Sequence, residues 1–220
     1  MKYYFLLACL TLISTQSFAQ ESTDERIDEI VAIVCSKMDY LSTAEDYTEF
    51  NVMFEEVAGP EIMKLPFKER DEAVSKVFYR MQTQCGEINE LLIKLEPDDD
   101  WATSDEKIPS KASRRDLKDF KGQESFYYAE KDYTVNVIVK DGYWSDQFPD
   151  GTATRLKMEW LSKDTFVLIF ESSTNEVRDQ LSNPGDRYYY QVIEKKEDAY
   201  TLQSWIDSQD FFYISDINFK

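Results

Sequence analysis

Apolar positions repeat with two different periods along this chain. In the first half they recur every three or four residues. Ile27, Val31, Val34, Met38 and Leu41 fall on one face of an amphipathic helix, with Ile30 and Cys35 widening the stripe. Ser42-Thr43-Ala44-Glu45 has the form of a capping box, so a second helix is expected to open there. Its inner face would be Tyr47, Phe50, Met53 or Phe54, and Val57, and it would end at Gly59-Pro60. After a short connection over Ile62–Pro66, Val74, Phe78, Met81, Cys85, Ile88, Leu92 and Leu95 continue the pattern to Pro97 as one long helix. This spacing could also serve a coiled-coil dimer, but inside a helical hairpin it reads as core.

From Gln123 the period falls to two. Strands are expected at Ser125–Ala129, Tyr133–Lys140, Tyr143–Phe148, Thr152–Trp160, Thr165–Glu171, Arg187–Glu194, Ala199–Trp205 and Phe211–Phe219. Asp141-Gly142 marks a tight hairpin between the second and third. Most connections are too short for crossover helices, which makes the sheet antiparallel. The predicted fold class is α+β: a helical hairpin or three-helix segment, then a meander of about eight strands forming a curved sheet or a lipocalin-like barrel. The expected organisation is residues 1–19 as a signal peptide, 20–97 helical, 98–120 a linker with a short basic helix, and 121–220 the β-meander.

Three aromatic triplets, Phe126-Tyr127-Tyr128, Tyr188-Tyr189-Tyr190 and Phe211-Phe212-Tyr213, place rings on both faces of their strands. One face fills the core, and the other needs a cover from the helices, a partner or a ligand. The stretch Lys157–Phe170 (KMEWLSKDTFVLIF), followed by Gly185–Ile193 (GDRYYYQVI), resembles small secreted β-meander proteins of Bacteroidota-type bacteria. Those proteins are lipocalin-like in architecture. The resemblance covers residues 120–220, implies a β-barrel or strongly bent sheet, and carries no site residue with it.

Charge and cysteine usage add compartment. Met1-Lys2, the apolar run Phe5–Ile13 and the small-x-small ending Ser17-Phe18-Ala19 form a secretory signal, with cleavage expected after Ala19. A lipoprotein site at Cys9 would leave almost no apolar core before it. The apolar run is too short to span a membrane, and no later segment approaches the necessary ~20 residues. The full chain has 25 basic and 43 acidic residues, no histidine, and a net charge of −18. Losing the signal removes one lysine and no acid, so the remaining chain carries −19. Its cysteines, Cys35 and Cys85, are an even pair on two apolar helical seams, and a secreted setting favours a disulfide.

The missing imidazole removes Ser–His and Cys–His nucleophiles and histidine metal ligands. Asp98-Asp99-Asp100 lacks the spacing of a calcium loop and reads as a solvated turn. Lys111, Arg114, Arg115 and Lys118 form a basic stripe if helical, expected to be solvated or docked on the protein's own acids. Glu159 beside Trp160, and Asp146 near Asp150, are explained by strand-face and turn positions, so no catalytic residue, cofactor or metal is expected. The expected function is non-enzymatic binding of a small apolar ligand or a partner, with Trp144, Leu156, Met158, Trp160, Phe166, Leu168, Tyr190 and Leu202 on the inner face. Trp144, Trp160, Tyr188, Tyr190, Phe211 and Tyr213 are the candidate ligand or partner surface. The alternative is an acidic interaction module, such as an inhibitor, immunity or envelope-assembly protein, for a basic partner. Its charge disfavours nucleic acid and anionic membrane.

Overall fold

The structure, a computed structural model, describes residues 23–96, 102–130 and 133–219. The signal segment with Cys9 and the Asp98–Asp100 turn lie outside the described residues. α1 (Thr23–Cys35) buries Ile27, Ile30, Val31 and Val34, as its stripe requires. A single turn, α2 (Met38–Leu41), precedes α3 (Tyr47–Ile62). The expected cap at Ser42 is corrected to Asp46, whose side chain accepts the Glu49 N–H at 2.8 Å while Glu49 accepts from Glu45 N–H at 2.7 Å. Residues 42–44 instead close the turn after α2, where Thr43 bonds the Tyr40 carbonyl. α3 also runs through Gly59-Pro60 rather than stopping there. Pro60 sits in the last turn, so one helix bond is lost while burial of Ala58 and Ile62 holds the turn together.

The expected long third helix is two. A 3-10 turn at Phe67–Glu69 leads into α4 (Arg70–Gln84), and α5 (Gly86–Leu95) follows after a break at Cys85, which is extended at φ −120 and ψ 94. The break has two causes. Cys85 is bonded to Cys35, with the Cα atoms 5.7 Å apart. A Cβ on Gly86 would lie 2.0 Å from the Ser208 carbonyl oxygen, so only glycine lets a loop of the β half come this close. In the first half of α4 the buried residues are Ala73 and Val77, and the expected inward Val74 is 43 % exposed. Arg80 is buried between α4 and α1, donating to Asp24 at 2.9 Å and Asp28 at 3.1 Å.

Within the stretch expected to be a linker, β1 (Ala102–Ser104) pairs with a later strand, and α6 (Arg114–Gly122) is opened by a Ser113/Asp116 capping box. Lys111, Arg114, Arg115 and Lys118 are exposed, while Leu117 and Phe120 of the same region are buried. The strands β2 (Ser125–Glu130), β3 (Tyr133–Lys140), β4 (Tyr143–Gln147), β5 (Ala153–Trp160) and β6 (Thr165–Ser173) follow in meander order. The β6–β7 loop contains α7 (Glu176–Leu181), and β7 (Arg187–Lys195), β8 (Ala199–Trp205) and β9 (Phe212–Asn218) complete the set. Every pairing is antiparallel. At the β3–β4 hairpin Asp141 (φ 52) and Gly142 (φ 80) both adopt the left-handed backbone its twist demands.

β9 pairs with β8 along one edge and with β2 on the other, so β2–β9 close an eight-stranded lipocalin-like barrel, with β1 as an extra strand. The closure is uneven. β8–β9 is paired over six positions, whereas β2 meets β9 only at Tyr127 opposite Asn218, and β1 takes the edge at 212–214. Between those two pairings Ser215, Asp216 and Ile217 form a lateral seam.

The two ends of the barrel differ. At one end α6 is a plug: Phe120 packs on Phe126, Trp160, Phe166 and Tyr200, with ring centroids 4.9–6.0 Å apart. At the other end the helical layer sits on the loops, where Thr83 bonds the Leu181 carbonyl, Ser208 bonds the Thr83 carbonyl and Asn89 donates to the Tyr213 hydroxyl at 2.6 Å. The outer aromatics are covered by neighbours within the β half. Tyr189 stacks on Trp205, Trp205 meets Phe212, and Lys107 lies 4.0 Å from the Trp205 ring centroid. Beneath the same 105–112 segment, Gln203 and Gln191 pair in a buried amide bridge that also accepts the Ile108 N–H.

Candidate functional site: a polar cluster in the barrel cavity

Strand alternation decides what enters the barrel. Phe126, Tyr128 and Glu130 on β2, Trp144 and Asp146 on β4, and Tyr188, Tyr190 and Val192 on β7 occupy alternate positions, so one face of each strand turns inward. Toward α6 these positions are filled by rings. Toward the helical layer they line a cavity of about 1540 Å³, which continues past the β9 seam to Phe78, Leu92 and Ile93 of the helices. Leu156, Leu168, Phe170 and Leu202 give it apolar walls.

A polar cluster crosses these walls. Asn175 caps α7 by accepting the Arg178 N–H at 3.2 Å, which sets the start of the helix, and the Arg178 guanidinium is ion-paired to Glu130. Asp146 is 8 % exposed, and its Oδ1 accepts the Trp144 Nε1–H at 2.9 Å. Burial pushes its carboxyl up to about 6, with Glu130 adding to the rise and Trp144 and Arg178 opposing it. Burial alone would lower Arg178, but Tyr128, Glu130 and Asp146 outweigh it and hold the guanidinium charged. Burial, followed by the Asp146 charge, raises both Tyr128 and Tyr190. Both rings are half-buried, and neither hydroxyl has a hydrogen-bond partner among the described residues. Both tyrosines line the cavity. Tyr188, bonded to Ser182, is pushed up to about 12 by burial.

Of the residues singled out from the sequence, Trp144, Tyr188, Tyr190 and Tyr213 line this cavity. Trp160 stands at the plugged end with the Lys121 ammonium 3.8 Å from its ring centroid. Phe211 is buried against Tyr213. Among the inner-face expectations, Leu156, Leu168 and Leu202 line the cavity, while Phe166 belongs to the plug and Met158 packs beside it. Asp146, Tyr128, Glu130 and Arg178 were not expected there. For three of them the signal was available: each lies two residues from an inward aromatic, and Asp146 follows Trp144 in this way. Asp150, considered beside Asp146, caps an exposed turn through Thr152 instead. Arg178 lies in a helix within an expected loop and left no such signal.

Among the described residues no group of three or more acids or cysteines could hold a metal ion, and no helix is long and apolar enough to cross a membrane. Comparison with protein-family models, curated proteins and solved structures found no match. What can be assigned is thus the class that the fold defines, an α+β protein with a helix-covered lipocalin-like barrel.

Proposed function

We propose that this is a secreted, non-enzymatic binding protein that holds a small molecule with an apolar body inside its barrel. The observation that carries the reading is the cavity: about 1540 Å³, partly open and running from the barrel to the helices, with Leu156, Leu168, Phe170 and Leu202 as apolar wall beside polar groups. Secretion is supported by the signal-like N-terminus together with the Cys35–Cys85 disulfide, a bond that persists in oxidising compartments. The test is direct. The neutral fluorophore N-phenyl-1-naphthylamine should brighten on binding, and Leu156→Trp, which intrudes on the wall, should weaken it. Organic extraction of natively purified protein should return a bound small molecule. No fluorescence change and an empty extract would together overturn the reading.

A further inference from the structure

We infer that the ligand is amphipathic and cationic, an amine whose ammonium group is held by Asp146 while its apolar body lies against Leu156, Leu168 and Phe170. This rests on the binding function proposed above. The charged and titratable groups around Asp146 are Glu130 and Tyr128 from β2, Tyr190 from β7 and Arg178 from α7. Arg178 is already committed to Glu130. When Asp146 ionises, Glu130, Arg178 and Asp146 together carry one negative charge in excess, with Asp146 only 8 % exposed. An anion would add to the excess, whereas a single cation cancels it.

Hydrogen-bonding capacity agrees. The Asp146 oxygen that does not accept from Trp144 has no partner among the described residues, and the Tyr128 and Tyr190 hydroxyls are in the same condition. An ammonium brings three donors, and one carboxylate oxygen with two phenol oxygens supplies three acceptors. Across the whole chain, the −18 charge raises the local concentration of cations near the mouth.

Three probes with one tail separate the possibilities: dodecylamine, dodecanoate and dodecanol, each below micelle-forming concentration, displacing N-phenyl-1-naphthylamine from the full mature protein. At pH 7.5 dodecylamine should displace the fluorophore at roughly a tenth of the dodecanoate concentration, the effect of reversing about one unit of the rise in the Asp146 carboxyl. The advantage should shrink as pH falls through about 6 and Asp146 takes up a proton. It should disappear in Asp146→Asn at every pH, with circular dichroism checking that this variant is folded. The wild-type pH profile is an independent test should the variant fail to fold. Better displacement by dodecanoate, or equal displacement by all three, overturns the amine and leaves the binding reading standing. An amine advantage that persists in Asp146→Asn assigns it to the acidic surface and likewise overturns the inference. If no probe displaces and the fluorophore itself does not bind, both readings fall.

Discussion

Asp146 couples the barrel interior to pH. Its folded-state carboxyl, about 6, stands above the ordinary 3.8, so the folded protein keeps a proton that the unfolded chain has released. Stability therefore falls as pH rises from about 4 to about 6, and the loss is complete above that window. Asp146→Asn removes the buried charge while an amide oxygen still accepts from Trp144. The variant should be more stable than the wild type at pH 7.5, by about 3 kcal/mol at most, and gain nothing at pH 3.5, as read from urea midpoints at the two pH values. Arg80 is the opposite case, a buried cation whose partners are present. Arg80→Ala leaves a void between α1 and α4 and takes the partner from the half-exposed Asp24 and Asp28, and should lower the unfolding free energy by about 1–3 kcal/mol in urea titration. The sequence places Asp146 on the strand face of Trp144 but does not say whether that face meets core or cavity, which closure of the barrel decides. Arg80 is buried only because α4 packs on α1, a contact no local pattern announces.

Among the elements, two of the helix glycines, Gly59 and Gly86, predict opposite signs for one substitution. Gly59, inside α3, has open space where a Cβ would go, so Gly59→Ala should raise stability by up to about 1 kcal/mol through helix propensity. Gly86→Ala places its methyl 2.0 Å from the backbone oxygen of Ser208 and should lower stability by about 1–3 kcal/mol despite the better propensity. Thermal melts of both variants check the pair. The same glycine explains where the sequence pattern was silent. Periodicity showed the α4–α5 stripe as continuous, because the apolar residues keep their spacing on both sides of Cys85. The break comes from a distant carbonyl and a distant cysteine. The β elements were more legible: the Asp141-Gly142 turn, the alternation of Leu156, Met158 and Trp160, and the antiparallel order all follow from local chemistry. The short β1 strand and α7 were not, since three residues or one and a half turns are too few to establish a period.

At the scale of the molecule, one covalent bond fixes the helical layer that covers the barrel. Cys35–Cys85 joins the end of α1 to the α4–α5 break and closes a separation of 50 residues, for which chain entropy gives about 4 kcal/mol. Mass measurement after alkylation should find no free thiol before reduction and two after it. The reduced protein should melt at lower temperature, with the far-UV helical signal lost before the aromatic near-UV signal of the plugged barrel. The helices and the strands carry separate hydrophobic clusters, one centred on Phe50, Val77 and Met81 and the other on Phe120 and Phe166, which gives the two layers distinct sources of stability.

The lightly paired joint between β2 and β9 makes the barrel wall uneven. The helical layer lies across one end under its disulfide, and α6 fills the other. With β2 fastened to β9 at a single register position, the wall beside Ser215–Ile217 has no continuous ladder on its β2 side. The amides of that edge should exchange with deuterium sooner than those of the six-position β8–β9 ladder, so cooperativity in the wall is weakest where the sheet closes on itself.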